Sequence, residues 1–324
     1  MPTVAPLDLP GHCVAAAFVS DVPHFALADG TVHRLADGHR HVAAHDGLVC
    51  ATLDEKAERL LTGGEDGKVM AVGADGSIEL LADVGRKWIA CIASGPQGAI
   101  AWGAGRTAHV RFADGRTKTF DHPRTVEGIA FSPKGMRIGV ARYNGATLHF
   151  PAADGKPTEL EWAGAHTGIT FSPDGNFLVT TMQEGALHGW KLVDAKHMRM
   201  TGYPAKVKSL SWSPKGRWLA SSGAPAAVVW PFQGKDGPMG KAPLELGTRG
   251  NTQVTAVACH PADDFVAIGY ADGMVIAARI ADQKEVLLRR PGKGAVTTLA
   301  WDRAGRRVAF GSEEGDCGVI DIVG

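Results

Sequence analysis

The sequence predicts an all-β chain built from eight copies of a four-stranded sheet unit, and three observations predict it. A small or acidic residue, usually followed by glycine, recurs between short apolar runs at Asp29-Gly30, Asp66-Gly67, Gly105-Arg106, Asn144-Gly145, Glu184-Gly185, Ala224-Pro225, Asp272-Gly273 and Glu314-Gly315. The successive steps are 37, 39, 39, 40, 40, 48 and 42 residues. In step with it, Phe131-Ser132-Pro133-Lys134-Gly135 returns as Phe171-Ser172-Pro173-Asp174-Gly175 and as Trp212-Ser213-Pro214-Lys215-Gly216. Weaker echoes stand at Cys259-His260-Pro261 and Trp301-Asp302-Arg303-Ala304-Gly305. Finally, 42 of 324 residues are glycine, well above the usual ~7%, and no long stretch carries a helical apolar period.

Each unit holds four short runs. In the fifth they are 168–171, 177–181, 186–192 and 197–201. They are rich in Val, Ile, Phe, Trp and Thr and bounded by Pro, Gly, Asp and Asn, which is strand chemistry with hairpin turns. Glycine supplies the positive φ those turns need. A period near forty with four strands per unit is the signature of a β-propeller blade. The innermost strands are expected to start near Cys13, Leu48, Trp88, Val126, Gly168, Val207, Val254 and Val296. The blades then run 11–45, 46–84, 85–122, 123–163, 164–203, 204–249, 250–291 and 292–324, in a single domain over 1–324. Seven blades is the alternative count, with 11–45 the weakest unit. The last unit shows only three runs, 296–301, 307–311 and 317–323, whereas residues 3–9 form a spare run before the first blade. The expectation is that 3–9 pairs with 317–323 and closes the ring, with Pro6 tolerated on an edge strand.

With those landmarks in place, the whole chain resembles the WD40 repeat family. Gly11-His12 stands where the family's Gly-His opens a blade, and Phe-Ser-Pro-Asp-Gly is intact at 171–175. Trp190 follows Glu184 by the family's turn-to-Trp spacing, as do Trp230 after Ala224 and Phe150 after Asn144. The Asp of the closing Trp-Asp pair is absent: Lys191 follows Trp190, and Pro231 follows Trp230. The family's His–Ser/Thr–Asp–Trp tetrad is therefore complete in no blade. The resemblance implies a scaffold that binds proteins or peptides through loops at the top face, and a structural role for a histidine before an innermost strand, the place of His12, His45 and His122.

Composition narrows the function classes. Lys+Arg and Asp+Glu number 34 each, for a formal net charge of zero. This argues against a general nucleic-acid binder or a polybasic membrane protein. Five cysteines at 13, 50, 91, 259 and 317 form no CxxC pair. They are expected to be reduced thiols of a cytoplasmic protein. The N-terminus has no basic start and no apolar core of a signal peptide. Residues 88–105 are uncharged, but Ser94-Gly95-Pro96-Gln97-Gly98 reads as a hairpin turn between two strands rather than part of a span. The pattern GxGxxA at Gly103–Ala108 is followed by a strand, not the helix a dinucleotide site requires. No GxSxG, GxxxxGK[ST] or HExxH occurs, and no paired carboxylates or nucleophile–base pair stands at a readable spacing.

The expected function is therefore non-catalytic capture of a protein or peptide, an acidic one in the reading of the basic loops, by a monomer without a cofactor. Residues before the innermost strands and at the hairpin tips of the same face form the candidate surface: Arg86, Trp88, Arg124, Tyr143, His166, Gln183, Lys206, Arg249 and Tyr270. Tyr, Trp and Arg are the types that anchor protein contacts. The alternative is a metal-linked accessory protein, with His39, His41 and His45 as the weak ligand candidates, since His39 and His41 would share a strand face. A propeller enzyme is the third reading.

Overall fold

The computed structural model describes residues 2–322. Its strands are antiparallel throughout, and the only helical turn among the described residues is Pro96–Gly98. Neither that turn nor any other helix of the described residues is long and apolar enough to cross a membrane. Two compact units are distinguished, residues 2–41 with 203–322 and Val42–Gly202.

The first unit holds four sheets, each a meander of consecutive strands. They are Cys13–Val19 to Gly38–Ala43, Leu210–Trp212 to Leu244–Leu246, Val254–Cys259 to Glu285–Arg289, and Val296–Trp301 to Asp316–Asp321. The last is completed by the N-terminal strand Thr3–Asp8, which pairs with Asp316–Asp321 from Thr3 opposite Asp321 to Asp8 opposite Asp316. The strand pairing expected from the spare N-terminal run is thus present, with its register two residues from the expected one; Val323 and Gly324 lie outside the described residues. Pro6 sits opposite Gly318 in this edge strand.

Val42–Gly202 holds three sheets. Two have four strands, Leu48–Leu53 to Ile78–Asp83 and Ile89–Ser94 to Thr117–Asp121. The uncharged stretch is the hairpin Ile89–Ser94 and Ile100–Ala104, and the GxGxxA pattern turns into the strand Thr107–Arg111. The third sheet has six strands and corrects the expected count. Ile138–His149 turns back at Asn144 and Gly145, whose φ angles are 64° and 128°, without leaving the ladder. Thr158–Phe171 then runs unbroken across the expected boundary at 163/164 and pairs with Ile138–His149 on one side and Phe177–Met182 on the other. The units read as 123–163 and 164–203 are therefore one hydrogen-bonded sheet. Counted as hydrogen-bonded sheets, the propeller has seven blades, six of four strands and one of six, not eight.

The repeated sequence landmarks have local physical causes. At Gly67, φ is 76° and an added Cβ would lie 1.8 Å from the carbonyl oxygen of Gly85, so only glycine fits the hairpin. The serine of the Phe/Trp-Ser-Pro turn is buried in all three copies. Ser172 Oγ accepts the amide of Phe177 at 2.9 Å, and Ser213 Oγ that of Trp218 at 3.1 Å, which locks the entry to the next strand. Asp302 does the same work with a carboxylate, accepting the amides of Arg306 and Arg307 at 2.8 and 3.1 Å. Between sheets the core is aliphatic. One cluster joins Val275 and Leu288 to Val296, Phe310 and Ile320, and another joins Ala101 and Val110 to Val126 and Val140. Burial of such residues from neighbouring sheets is what holds successive blades together.

Candidate functional site

The loops that lead into the innermost strands are held by three buried polar triplets, each a partial version of the tetrad. His45 places Nε2 2.8 Å from Thr62 Oγ1 and Nδ1 3.0 Å from Asp66 Oδ1. His166 bonds Thr180 Oγ1 at 2.7 Å through Nδ1 and donates its Nε2–H to the Trp162 carbonyl, 3.0 Å away, with its ring 5.7 Å from that of Trp190. In the third, a tyrosine replaces the histidine. Tyr203 OH lies 2.6 Å from Ser221 Oγ and accepts the Trp230 indole N–H at 2.6 Å. Burial raises the Tyr203 hydroxyl to about 12, so it stays protonated.

These triplets revise the candidate residues. His45 is committed to Thr62 and Asp66, which removes it from the metal candidates and gives it the structural role implied by the resemblance. His166 is fully buried, because its ring turns inward to Thr180, and it forms no part of a surface. Tyr270 is likewise fully buried: its hydroxyl donates to the Gly247 carbonyl, and burial raises its pKa. In the same unit Arg249 is held by Glu285, the chief cause of its raised pKa, and by the Thr248 carbonyl at 3.0 Å. Lys206 is half-buried.

In Val42–Gly202 the candidates do reach the surface. Arg86, Arg124 and Gln183 are exposed, and Trp88 and Tyr143 keep 58% and 50% of their surface open. Among the described residues, neither Arg86 nor Arg124 takes part in an ion pair. The loops are adjacent: Val126 N donates to Gly105 O at 2.9 Å, and a Cβ on Gly105 would meet Lys87 Cδ at 3.6 Å. Arg124 and Tyr143 share a cleft of about 610 Å³ with Arg142, Asn144, Glu159, Glu161 and Trp162.

The base of this cleft fixes the Tyr143 tip. Arg142 donates to Thr147 Oγ1 at 2.9 Å, to the Tyr143 carbonyl at 3.0 Å and to the Glu159 carboxylate. Burial would raise the Glu159 carboxyl, but hydrogen bonds from Arg142 and Thr147 hold it below its usual range. Sequence reasoning missed Arg142, Glu159 and Trp162. The available signal was Arg142 in the apolar run Ile138–Ala141, answered by the alternation Glu159-Leu160-Glu161-Trp162.

The remaining metal candidates form an imidazole stack. His33 Nδ1 lies 2.8 Å from His39 Nε2, its Nε2 lies 2.9 Å from Thr31 Oγ1, and the rings of His39 and His41 both sit 5.1 Å from it. Burial, with His39 and His41 alongside, lowers His33 to about 4. Among the described residues, no group of three or more His, Cys, Asp or Glu side chains is arranged to hold a metal ion.

Comparison with known proteins places this architecture. The family model described as the anaphase-promoting complex subunit 4 WD40 domain matches residues 257–324, and that of the WD domain, G-beta repeat, matches residues 196–228. No curated protein matches the chain. Among solved structures, the computationally designed Ika8 protein superposes with a TM-score of 0.74 at 20% identity, covering 97% of this chain and 98% of that one. At that identity the likeness shows the fold alone. With the forty-residue period, the Ser-Pro turns and the partial tetrads of His45, His166 and Tyr203, the two family matches, over residues 196–228 and 257–324, support a WD40 repeat protein.

Proposed function

We propose that this chain is a non-catalytic scaffold that captures an acidic segment of a protein partner on the loops carrying Arg86, Trp88, Arg124 and Tyr143. WD40 propellers are generally protein-interaction scaffolds, and loops on a rigid sheet framework suit that role. The observation that supports the location is two half-open aromatic rings beside two arginines that no carboxylate among the described residues pairs with. Aromatic rings supply contact area at little conformational cost, and unpaired guanidinium groups recognise carboxylates in a planar fork. The Arg142 anchor lowers the cost of binding by holding the Tyr143 tip before the partner arrives. The protein acts as a monomer in this reading.

The test is binding to an array of Asp/Glu-rich peptides with neutral and Lys-rich controls. Selective retention of acidic sequences that weakens with salt supports the reading. The double variant R86E/R124E should lose at least roughly tenfold in affinity while its melting temperature stays within about one degree, because exposed charges contribute little to folding. Equal retention of acidic and basic peptides, or unchanged binding by the double variant, would refute it.

A further inference from the structure

All five cysteines are free thiols, yet two are neighbours despite lying at opposite ends of the chain. Cys13 opens the strand Cys13–Val19, and Cys317 lies on Asp316–Asp321, opposite Leu7 of the N-terminal strand. Both are fully buried in one cluster with Leu9, Phe25 and Leu27. Gly311 makes the room: a Cβ there would fall 2.4 Å from Cys13 Sγ and 2.7 Å from Cys13 Cβ. The same junction is tied by Thr297 Oγ1, which donates to the Cys13 carbonyl at 2.5 Å, and by the Ala16 amide, which donates to Thr298 Oγ1 at 3.1 Å. These bonds tie the strand of Cys13 to the sheet that carries Cys317, and Cys13 Sγ itself donates to the Ala15 carbonyl at 3.5 Å.

We propose that Cys13 and Cys317 form a modification site, at which a peroxide converts the thiol pair into a disulfide that covalently joins the first sheet to the last. Cys317 is the attacking sulfur. The neighbouring Cys13 thiol lowers its pKa, with the Arg289 guanidinium adding to that effect, whereas Cys317 and burial raise that of Cys13. The Cys317 thiolate attacks a peroxide oxygen; the S–O bond forms, the O–O bond breaks, and the departing hydroxide takes up a proton to give water and a sulfenic acid. The Cys13 sulfur then attacks the sulfenic sulfur. The S–S bond forms, the S–O bond breaks, and a second water carries away the Cys13 proton. Two thiols are oxidised and one peroxide is reduced.

The other cysteines are set apart by their surroundings. Burial pushes Cys91 and Cys259 up to about 12 and raises Cys50 as well, and Cys50 and Cys259 each donate to a main-chain carbonyl at 3.3 Å. Access to Cys317 runs through the N-terminal strand, which is exposed along most of its length and covers the edge on which Cys317 lies. Opening of that strand therefore gates the oxidation, and the disulfide then reports that the strand has opened and reclosed.

The experiment treats the reduced full chain with hydrogen peroxide, alkylates the unfolded product and maps it by mass spectrometry. The expected product loses roughly 2 Da, keeps three alkylatable thiols instead of five, and contains one peptide pair joined through residues 13 and 317. Its melting temperature should rise by several degrees and return on adding dithiothreitol, because the bridge restricts the unfolded chain. Either C13S or C317S should abolish the bridge. If those variants fail to fold, the mapped wild-type product decides alone. A bridge between Cys50 and Cys91, sulfinic acid without a bridge, or five thiols left intact would each overturn the proposal.

Discussion

Replacing Tyr203 with phenylalanine isolates the contribution of a single buried oxygen. The substitution keeps the ring and removes the group that accepts the Trp230 indole N–H at 2.6 Å and faces Ser221 Oγ at 2.6 Å. Trp230 and Ser221 are both buried, so water does not replace the lost partner. An unsatisfied buried donor costs about 1–3 kcal/mol. Ser221 keeps its 2.9 Å bond to the Val228 carbonyl and loses only one interaction, worth about 0.5–1.5 kcal/mol. Together Tyr203→Phe should destabilise the fold by about 1.5–4.5 kcal/mol. Guanidinium unfolding followed by tryptophan fluorescence measures this as a lower midpoint with an unchanged slope. Adding Trp230→Phe should cost less than the two single changes summed, since the orphaned donor is gone. A Tyr203→Phe loss below about 0.5 kcal/mol, or strict additivity, would show that this triplet does not hold its loop. The same hydroxyl sets an alkaline limit. Its folded value of about 12 lies above the unfolded value near 10, so its contribution is intact below pH ~10 and is lost as pH rises toward 12.

Removing residues 2–8 should uncover the edge from Asp316 to Asp321 and cost several kcal/mol, at about 0.5–1.5 kcal/mol per lost ladder bond. Calorimetry and light scattering should show a lower melting temperature together with association, and an unaltered monomer would contradict the pairing's role. Acid should destabilise the protein through its buried imidazoles: burial first, then neighbouring positive groups, lower His33 and His149 to about 4 and His188 to about 3. Their folded values lie below the unfolded value near 6.5, so the stability they support is present above that pH and declines as pH falls toward 4 and below. Unfolding midpoints between pH 7 and 4 test this; His188→Phe should flatten the decline, and a profile that is already flat would rule it out.

The repeat was legible because turn chemistry and strand chemistry alternate on one period, and the Ser-Pro turns carry their own hydrogen-bonding logic in Ser172 and Ser213. The closing strand was legible as a missing partner: three runs at one end and a spare run at the other. The sheet count was not. Asn144-Gly145 reads as an ordinary hairpin tip, and nothing in Ala163-Gly164-Ala165 announces that the ladder continues through it. Side-chain direction was also hidden. His166 and Tyr270 occupy positions that face a loop in sequence order, but the bulges between His166 and Gly168 and between Val254 and Ala256 reset which way neighbouring residues point. The cleft around Tyr143 escaped for a related reason, since Arg142 and Glu159 meet only once the strands are in register.

The pairing of Thr3–Asp8 with Asp316–Asp321 also has a consequence in time. Asp8 leaves the ribosome 308 positions ahead of its partner Asp316, which at roughly 5–20 residues per second is an interval of about 15–60 s. Throughout that interval the earlier strand has no mate in its own chain, and the growing polypeptide folds sheet by sheet beside it. On a crowded message, the last sheet of a finished copy is the nearest complementary edge, so exchange of this strand between copies competes with self-closure. Translation speed and ribosome spacing therefore become determinants of whether the chain is released as single molecules or as swapped assemblies.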